Sequence, residues 1–197
     1  MLIDTHTHLM MRELGRDPAG AVSRARKAGV EQMISIGIDR ENSRATATLA
    51  ERLDGVWAAV GIHPNETAEA TEQDWEAIRE LATGERVVAI GESGLDLYWN
   101  RASLEVQLGW LERHAELALE LDKPLVLHVR DAFAPLEPAL RPFASRGMRA
   151  VMHCFGGGPD DLHPYVEWGW LISFAGNLTY KSAEPLRQAA ARVPRDQ

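Results

Sequence analysis

Five of the seven histidines in this chain, and one glutamate, sit at or just beyond short apolar runs. His6 and His8 lie two residues apart in LIDTHTHL, Glu92 follows VVAIG, His128 ends PLVLH, His153 ends RAVMH, and His63 ends AVGIH. In a strand, side chains two apart point the same way, so His6 and His8 can reach one ion together. Taken alone, an HxH pair reads equally well as two histidines that close a strand by bonding to backbone. A carboxylate placed like Glu92 must be paired or hold a cation, because burying it alone is very costly. Arg130 is the competing partner for it. His128 or His153 taken singly reads as an ordinary hydrogen-bonded core histidine. Four imidazoles and one carboxylate arriving at one place from separate strands read as a metal site. The donors are nitrogen and oxygen with no thiolate, which suits Zn, Mn, Ni or Fe and admits Mg through the carboxylate and water.

The remaining polar candidates rank below these. His63 ranks below the other four as a ligand and is expected to touch substrate, with a bond to its own loop as the alternative. Arg130 and Lys181 are cations near strand ends, and Lys181 reads equally well as an ordinary solvated residue. Cys154, one residue after His153, is expected to point away from the site into packing. Thr5 and Thr7 are expected to face surrounding helices, and His114 and His163 to lie at the surface. There is no Walker loop, no Ser-His-Asp order and no cysteine pair.

Something must carry these side chains to one place. Seven apolar runs read as buried strands: LIDTH, QMISIGI, VWAAVGIH, RVVAIGE, PLVLHV, RAVMHC and WLISFAG. Helical stretches separate them. Asp17-Pro18 is a cap followed by proline in the first turn, and Ala28-Gly29 closes that helix. Thr71 with Asp74 is a capping-box variant ahead of Trp75, Ile78 and Leu81. The longest helix is expected over residues 103–122, with Leu104, Leu108, Leu111, Ala115 and Ala118 on one stripe. Strands alternating with helices imply parallel pairing. A doubly wound sheet often carries a glycine-rich turn after its first strand, whereas this chain carries His-Thr-His there. Chemistry gathered at the ends of many strands is the pattern of a barrel. The expectation is an α/β fold, a TIM-type (β/α) barrel formed by a single domain over 1–197. Seven strand-helix units are visible and the eighth strand is missing.

The totals limit the partners. With a formal charge of −8, the chain has no general attraction for nucleic acid or anionic membrane. An anionic substrate needs a local positive site, which bound metal ions can provide. A single cysteine excludes an intramolecular disulfide and fits a reducing compartment. With neither a cationic leader nor an apolar stretch long enough for a bilayer, the chain reads as cytoplasmic.

The stretches LIDTHTHL, AVGIHP, AIGESGLDLYW, PLVLHVRDA, MHCFGG and FAGNLTYK occur together and in order. In them the chain resembles the TatD family of metal-dependent deoxyribonucleases, from Leu2 to about Ser182. The resemblance implies two divalent metal ions (Zn, Mn, Mg or Ni). His6 and His8 would bind one, His128 and His153 the other, and Glu92 would bridge them. It also implies a catalytic role for Glu92 and His63, and substrate contacts from His63, Arg130, Asn177 and Lys181. The loop holding Asp96 and Tyr98 would shape the pocket. The implied reaction is hydrolysis of DNA phosphodiesters from ends or single strands, as a 3′ to 5′ exonuclease. Alternatives are a related hydrolase of another ester, lactone or amide, and a non-catalytic metal-binding protein. Met10 and Val129 depart from the family pattern. The family's strand-eight aspartate, in a Glu-Thr-Asp motif, does not occur in these 197 residues, and Asp196 is not expected to replace it. Activity of this form is therefore expected to be much reduced.

Overall fold

The computed structural model describes residues 1–99 and 101–197. Among them, seven strands alternate with seven α-helices. The strands are β1 (Leu2–Thr7), β2 (Val30–Ile36), β3 (Val56–Val60), β4 (Val87–Asp96), β5 (Leu125–Arg130), β6 (Ala150–Met152) and β7 (Leu171–Ile172). The helices are α1 (Pro18–Lys27), α2 (Arg40–Arg52), α3 (Glu72–Ala82), α4 (Leu104–Glu120), α5 (Phe133–Ala144), α6 (Pro159–Glu167) and α7 (Glu184–Ala190). Valine and isoleucine recur in the strands, where branched side chains suit a pleated surface. The helix starts follow the capping chemistry. Asp17 accepts from the Gly20 amide, and Thr71 and Asp74 close a reciprocal box at α3.

Every neighbouring pair is parallel and the order runs β1-β2-β3-β4-β5-β6-β7 without reversal. A doubly wound sheet reverses its order at a switch point, whereas a barrel does not. The core is split accordingly. A large cluster lies between the sheet and the helices, built from residues such as Met33, Ile78, Leu111, Leu127 and Leu136. A small one, Ile36, Ala59, Ala89 and Val126 with Ile34, lies on the other face. Two or four residues further on from three of its members come Ile38, His63 and His128, which line a cavity. The small cluster is thus the floor beneath the histidines. The fold is α/β and TIM-like. No helix among the described residues is long and apolar enough to cross a membrane.

Three sequence expectations change. The first strand is not buried: Leu2 and Ile3 are 60% and 49% exposed, because β1 pairs only with β2. The buried face of α4 includes Gln107, Trp110 and His114 as well as Leu111, Ala115 and Ala118, while Leu104 and Leu108 are only partly buried. His114 is consequently a core residue and not a surface one. His163, by contrast, is exposed on α6.

Candidate metal centre

Glu92 is the focus of the cavity. It is 3% exposed, and imidazoles face both of its oxygens. His6 Nε2 lies 3.3 Å and His8 Nε2 3.8 Å from Oε2, while His128 Nδ1 lies 3.2 Å from Oε1. His153 stacks on His6 with ring centroids 3.2 Å apart, and His63 packs edge-on to His128 at 4.4 Å. His6, Glu92 and His153 form one group whose donor atoms could share an ion, and His63, Glu92 and His128 form a second. All six line one cavity of about 1180 Å³.

Each strand contributes in its own way. His6 is inside β1 and His8 just past it; His128 is two residues on from the floor residue Val126. His63 and His153 follow the last residues of β3 and β6. Glu92 is not at a strand end, because β4 continues to Asp96. Strict alternation from the floor residue Ala89 would turn Gly91 and Ser93 inward and Glu92 outward. The register between β4 and β5 shifts between Ile90 and Ser93, and this irregularity brings Glu92 to the inner face. Bare backbone makes room for it: a Cβ on Gly61 would lie 2.6 Å from Gly91 Cα, and a Cβ on Gly94 would lie 1.9 Å from the His128 carbonyl oxygen.

The electrostatics favour a charged Glu92 beside neutral His8, His63 and His153. Burial opposes ionisation of Glu92, but hydrogen bonds to His128 and His6 and the surrounding imidazoles hold its carboxyl well below the usual range. Burial, with help from neighbouring imidazoles, pushes His63 and His153 down to about 4, and it also lowers His8. Neutral imidazole is the metal-binding form. Burial pulls His128 the other way from its partners, but Glu92 on one nitrogen and Asp96 Oδ2, 3.0 Å from the other, raise it. Asp96 on Nε2 is the usual carboxylate support of a ligating histidine and would leave Nδ1 for a metal. Buried Nδ1 atoms of His6, His8 and His153 have no hydrogen-bond partner. Crowded nitrogens and a shared carboxylate, short of protons to bond them, fit divalent cations.

His63 differs from the others. Its Nδ1 accepts the Asn65 amide at 3.1 Å, so the neutral ring carries its proton on Nε2. That tautomer presents an N–H to the cavity and not a lone pair, despite the ring's place in the second group. Arg130 lines the cavity without pairing with Glu92; its guanidinium lies 3.7 Å from the Tyr98 ring centre. Asn177 also lines it, but its amide bonds to the Phe155 carbonyl and accepts from the Ala175 amide. Lys181 is exposed and is not among the lining residues. Thr7 and Cys154 line the cavity, contrary to expectation. β1 ends at Thr7 and β6 at Met152, and Cys154 has φ +46°, so strand alternation no longer dictates where they point.

Sequence reading missed several participants. Arg12 and Arg101 join Arg130 on the cavity wall, beside the carboxylates Glu13, Glu66 and Asp131, and Arg101 lies 3.8 Å from Glu66. Gln107, fully buried on α4, accepts from the Asp96 amide and donates to the Asp96 and Ala102 carbonyls. His114 Nε2 accepts from the Ile62 amide at 2.9 Å, and its Nδ1 lies 2.7 Å from the Trp110 carbonyl, which fixes the backbone just before His63. Buried polar residues on an otherwise apolar helix face were the available signal.

The comparisons with known proteins agree with this architecture. The family model described as TatD related DNase matches residues 3–197. The uncharacterized metal-dependent hydrolase YabD of Bacillus subtilis is 32% identical over 196 residues, covering 100% of this chain and 77% of that protein. The 3′-5′ ssDNA/RNA exonuclease TatD of Enterobacter lignolyticus is 33% identical over 175 residues, covering 89% and 67%. The crystal structure of YjjV, a TatD homolog from Escherichia coli K12, superposes with a TM-score of 0.91 at 30% identity, covering 98% of this chain and 75% of that one. The fold, the family match and these relatives lead to one conclusion: the chain belongs to the TatD family and is a metal-dependent hydrolase.

Proposed function

We propose that the protein hydrolyses phosphodiester bonds of nucleic acid, with single-stranded or frayed DNA ends as substrate and 3′ to 5′ polarity. The observation that carries this reading is Glu92, buried with imidazoles against both oxygens. In it, Glu92 would hold two divalent ions together, one with His6 and His8 and with His153 beside them, the other with His128. Zn, Mn or Ni suit such nitrogen-rich donors better than Mg. When bound, the ions supply an activated water and charge to stabilise the attacking and leaving oxygens.

The chain's own residues do the rest. Glu92 keeps its charge at neutral pH and holds both cation positions together. Asp96 orients His128 through the hydrogen bond at Nε2. His63 stays neutral and offers its Nε2–H to a phosphate oxygen. Arg130 and Arg12, on the same wall, offer a phosphate local positive charge on a chain that is acidic overall. The name of the Enterobacter relative supports a single-stranded substrate.

The test is release of mononucleotides from 5′-labelled single-stranded DNA and RNA after chelation and reloading with each metal, beside a lactone panel. Shortening from the 3′ end that needs metal and is lost in Glu92→Gln is the expected result. Metal-dependent turnover of a lactone with intact oligonucleotides would overturn it.

A further inference from the structure

The rim beside Arg130 carries a feature that the hydrolytic site does not use. Leu97, Tyr98 and Trp99 follow β4, and all three face solvent, the two aromatics at 53% and 54% exposure. Scattered exposed apolar residues are ordinary, but three large ones in succession beside a cavity-lining arginine are not needed by any core. The segment is also anchored. Asp96 Oδ1 accepts from both the Tyr98 and Trp99 amides at 3.0 Å, and the Leu97 amide donates to the Arg130 carbonyl. Asp96 is itself fully buried and clamped by Gln107. The two aromatic rings stand edge to face, 5.0 Å apart at 88°. Arg130 covers the Tyr98 ring and lies 5.5 Å from the Trp99 ring centre while also lining the histidine cavity.

We propose that Trp99, braced by Tyr98 and Arg130, is a stacking platform for one unpaired nucleobase of the bound strand. This rests on the nucleic-acid reading above and deepens it. Every base has a π-face, so an indole held on a rigid turn binds without regard to sequence. Arg130, between the platform and the cavity, then faces the phosphate of the stacked nucleotide. The strand is thereby aimed so that a neighbouring phosphate enters among the histidines. A base inside a duplex has both faces covered by its stacked neighbours, so the platform favours single strands. The other carboxylate oxygen of Asp96, Oδ2, bonds to His128, so one buried side chain sets the platform and a proposed ligand in fixed relation.

The test measures binding rather than turnover. Fluorescein-labelled decathymidylate and a decamer of abasic tetrahydrofuran residues carry the same phosphates and differ in bases alone. Anisotropy titrations in chelator, where no cleavage occurs, are expected to show the wild type preferring decathymidylate by about five-fold or more. Trp99→Ala is expected to abolish that preference, and Trp99→Phe to keep part of it. Equal affinity of the wild type for both strands, no binding of either, or an undiminished preference in Trp99→Ala would each overturn the platform. Failure of the nuclease reading is seen separately, as an absence of metal-dependent nucleotide release by wild type that retains the base preference.

Discussion

His114 is fully buried and is not itself among the residues that line the histidine cavity. Its ring is held as a neutral donor-acceptor between the Trp110 carbonyl and the Ile62 amide. Burial lowers its pKa from 6.5 to about 4, only partly offset by the Trp110 carbonyl. The sign follows from linkage. Below pH 6.5 the unfolded chain takes up a proton that the folded protein refuses, so this residue makes stability fall as pH falls. The slope is about 1.4 kcal/mol per pH unit, and the deficit reaches about 3 kcal/mol near pH 4. Gln in place of His114 retains an acceptor for the Ile62 amide but cannot titrate. Urea unfolding of wild type and His114→Gln from pH 8 to pH 4, both in chelator, isolates the effect. Subtraction removes the contributions of His63, His153 and the carboxylates, which the two proteins share. The expected difference profile is flat above pH 7 and rises in favour of the variant toward pH 4. Parallel profiles, differing by less than about 1 kcal/mol in their total change, would show instead that His114 accepts a proton in the folded state.

Three further outcomes follow from the same geometry. Gln107→Met removes the buried clamp on Asp96 and leaves its backbone groups unpaired, so a loss of about 2–4 kcal/mol is expected in denaturant unfolding. Gly94→Ala places a Cβ 1.9 Å from the His128 carbonyl at a residue with φ +147°, so it is expected to destabilise by about 3 kcal/mol or more and to lower metal content by elemental analysis. A divalent cation supplied at about 100 times its Kd is expected to stabilise the wild type by about 2.7 kcal/mol, read as a rise in Tm, and Glu92→Gln is expected to lose most of that gain.

Much of the site was legible because ligand chemistry is local. Histidines two apart on a strand, or just after an apolar run, announce themselves by residue type and spacing. The parallel α/β architecture was legible for a similar reason, since strands and helices alternate throughout and their caps obey local rules. Less was legible where the chain leaves regular structure. Thr7 and Cys154 sit at strand ends, where period-two logic stops, and both were assigned to the wrong side. His114 looked like a surface residue because its partners, Ile62 and Trp110, include a backbone amide 52 residues away in sequence.

The amino-acid order alone determined which side chains could bind cations, the alternation of elements that carries them, and the scarcity of positive charge that makes a cationic site necessary. Tertiary structure alone decided their phase and their company. Alternation would have turned Glu92 outward; the shifted register between Ile90 and Ser93 turned it in. Packing also chose the partners, setting His153 against His6, His128 between Glu92 and Asp96, and Arg130 over Tyr98. The physical reason is that strand periodicity is a property of neighbouring residues, whereas a register shift and a buried hydrogen bond exist only between segments that folding brings together.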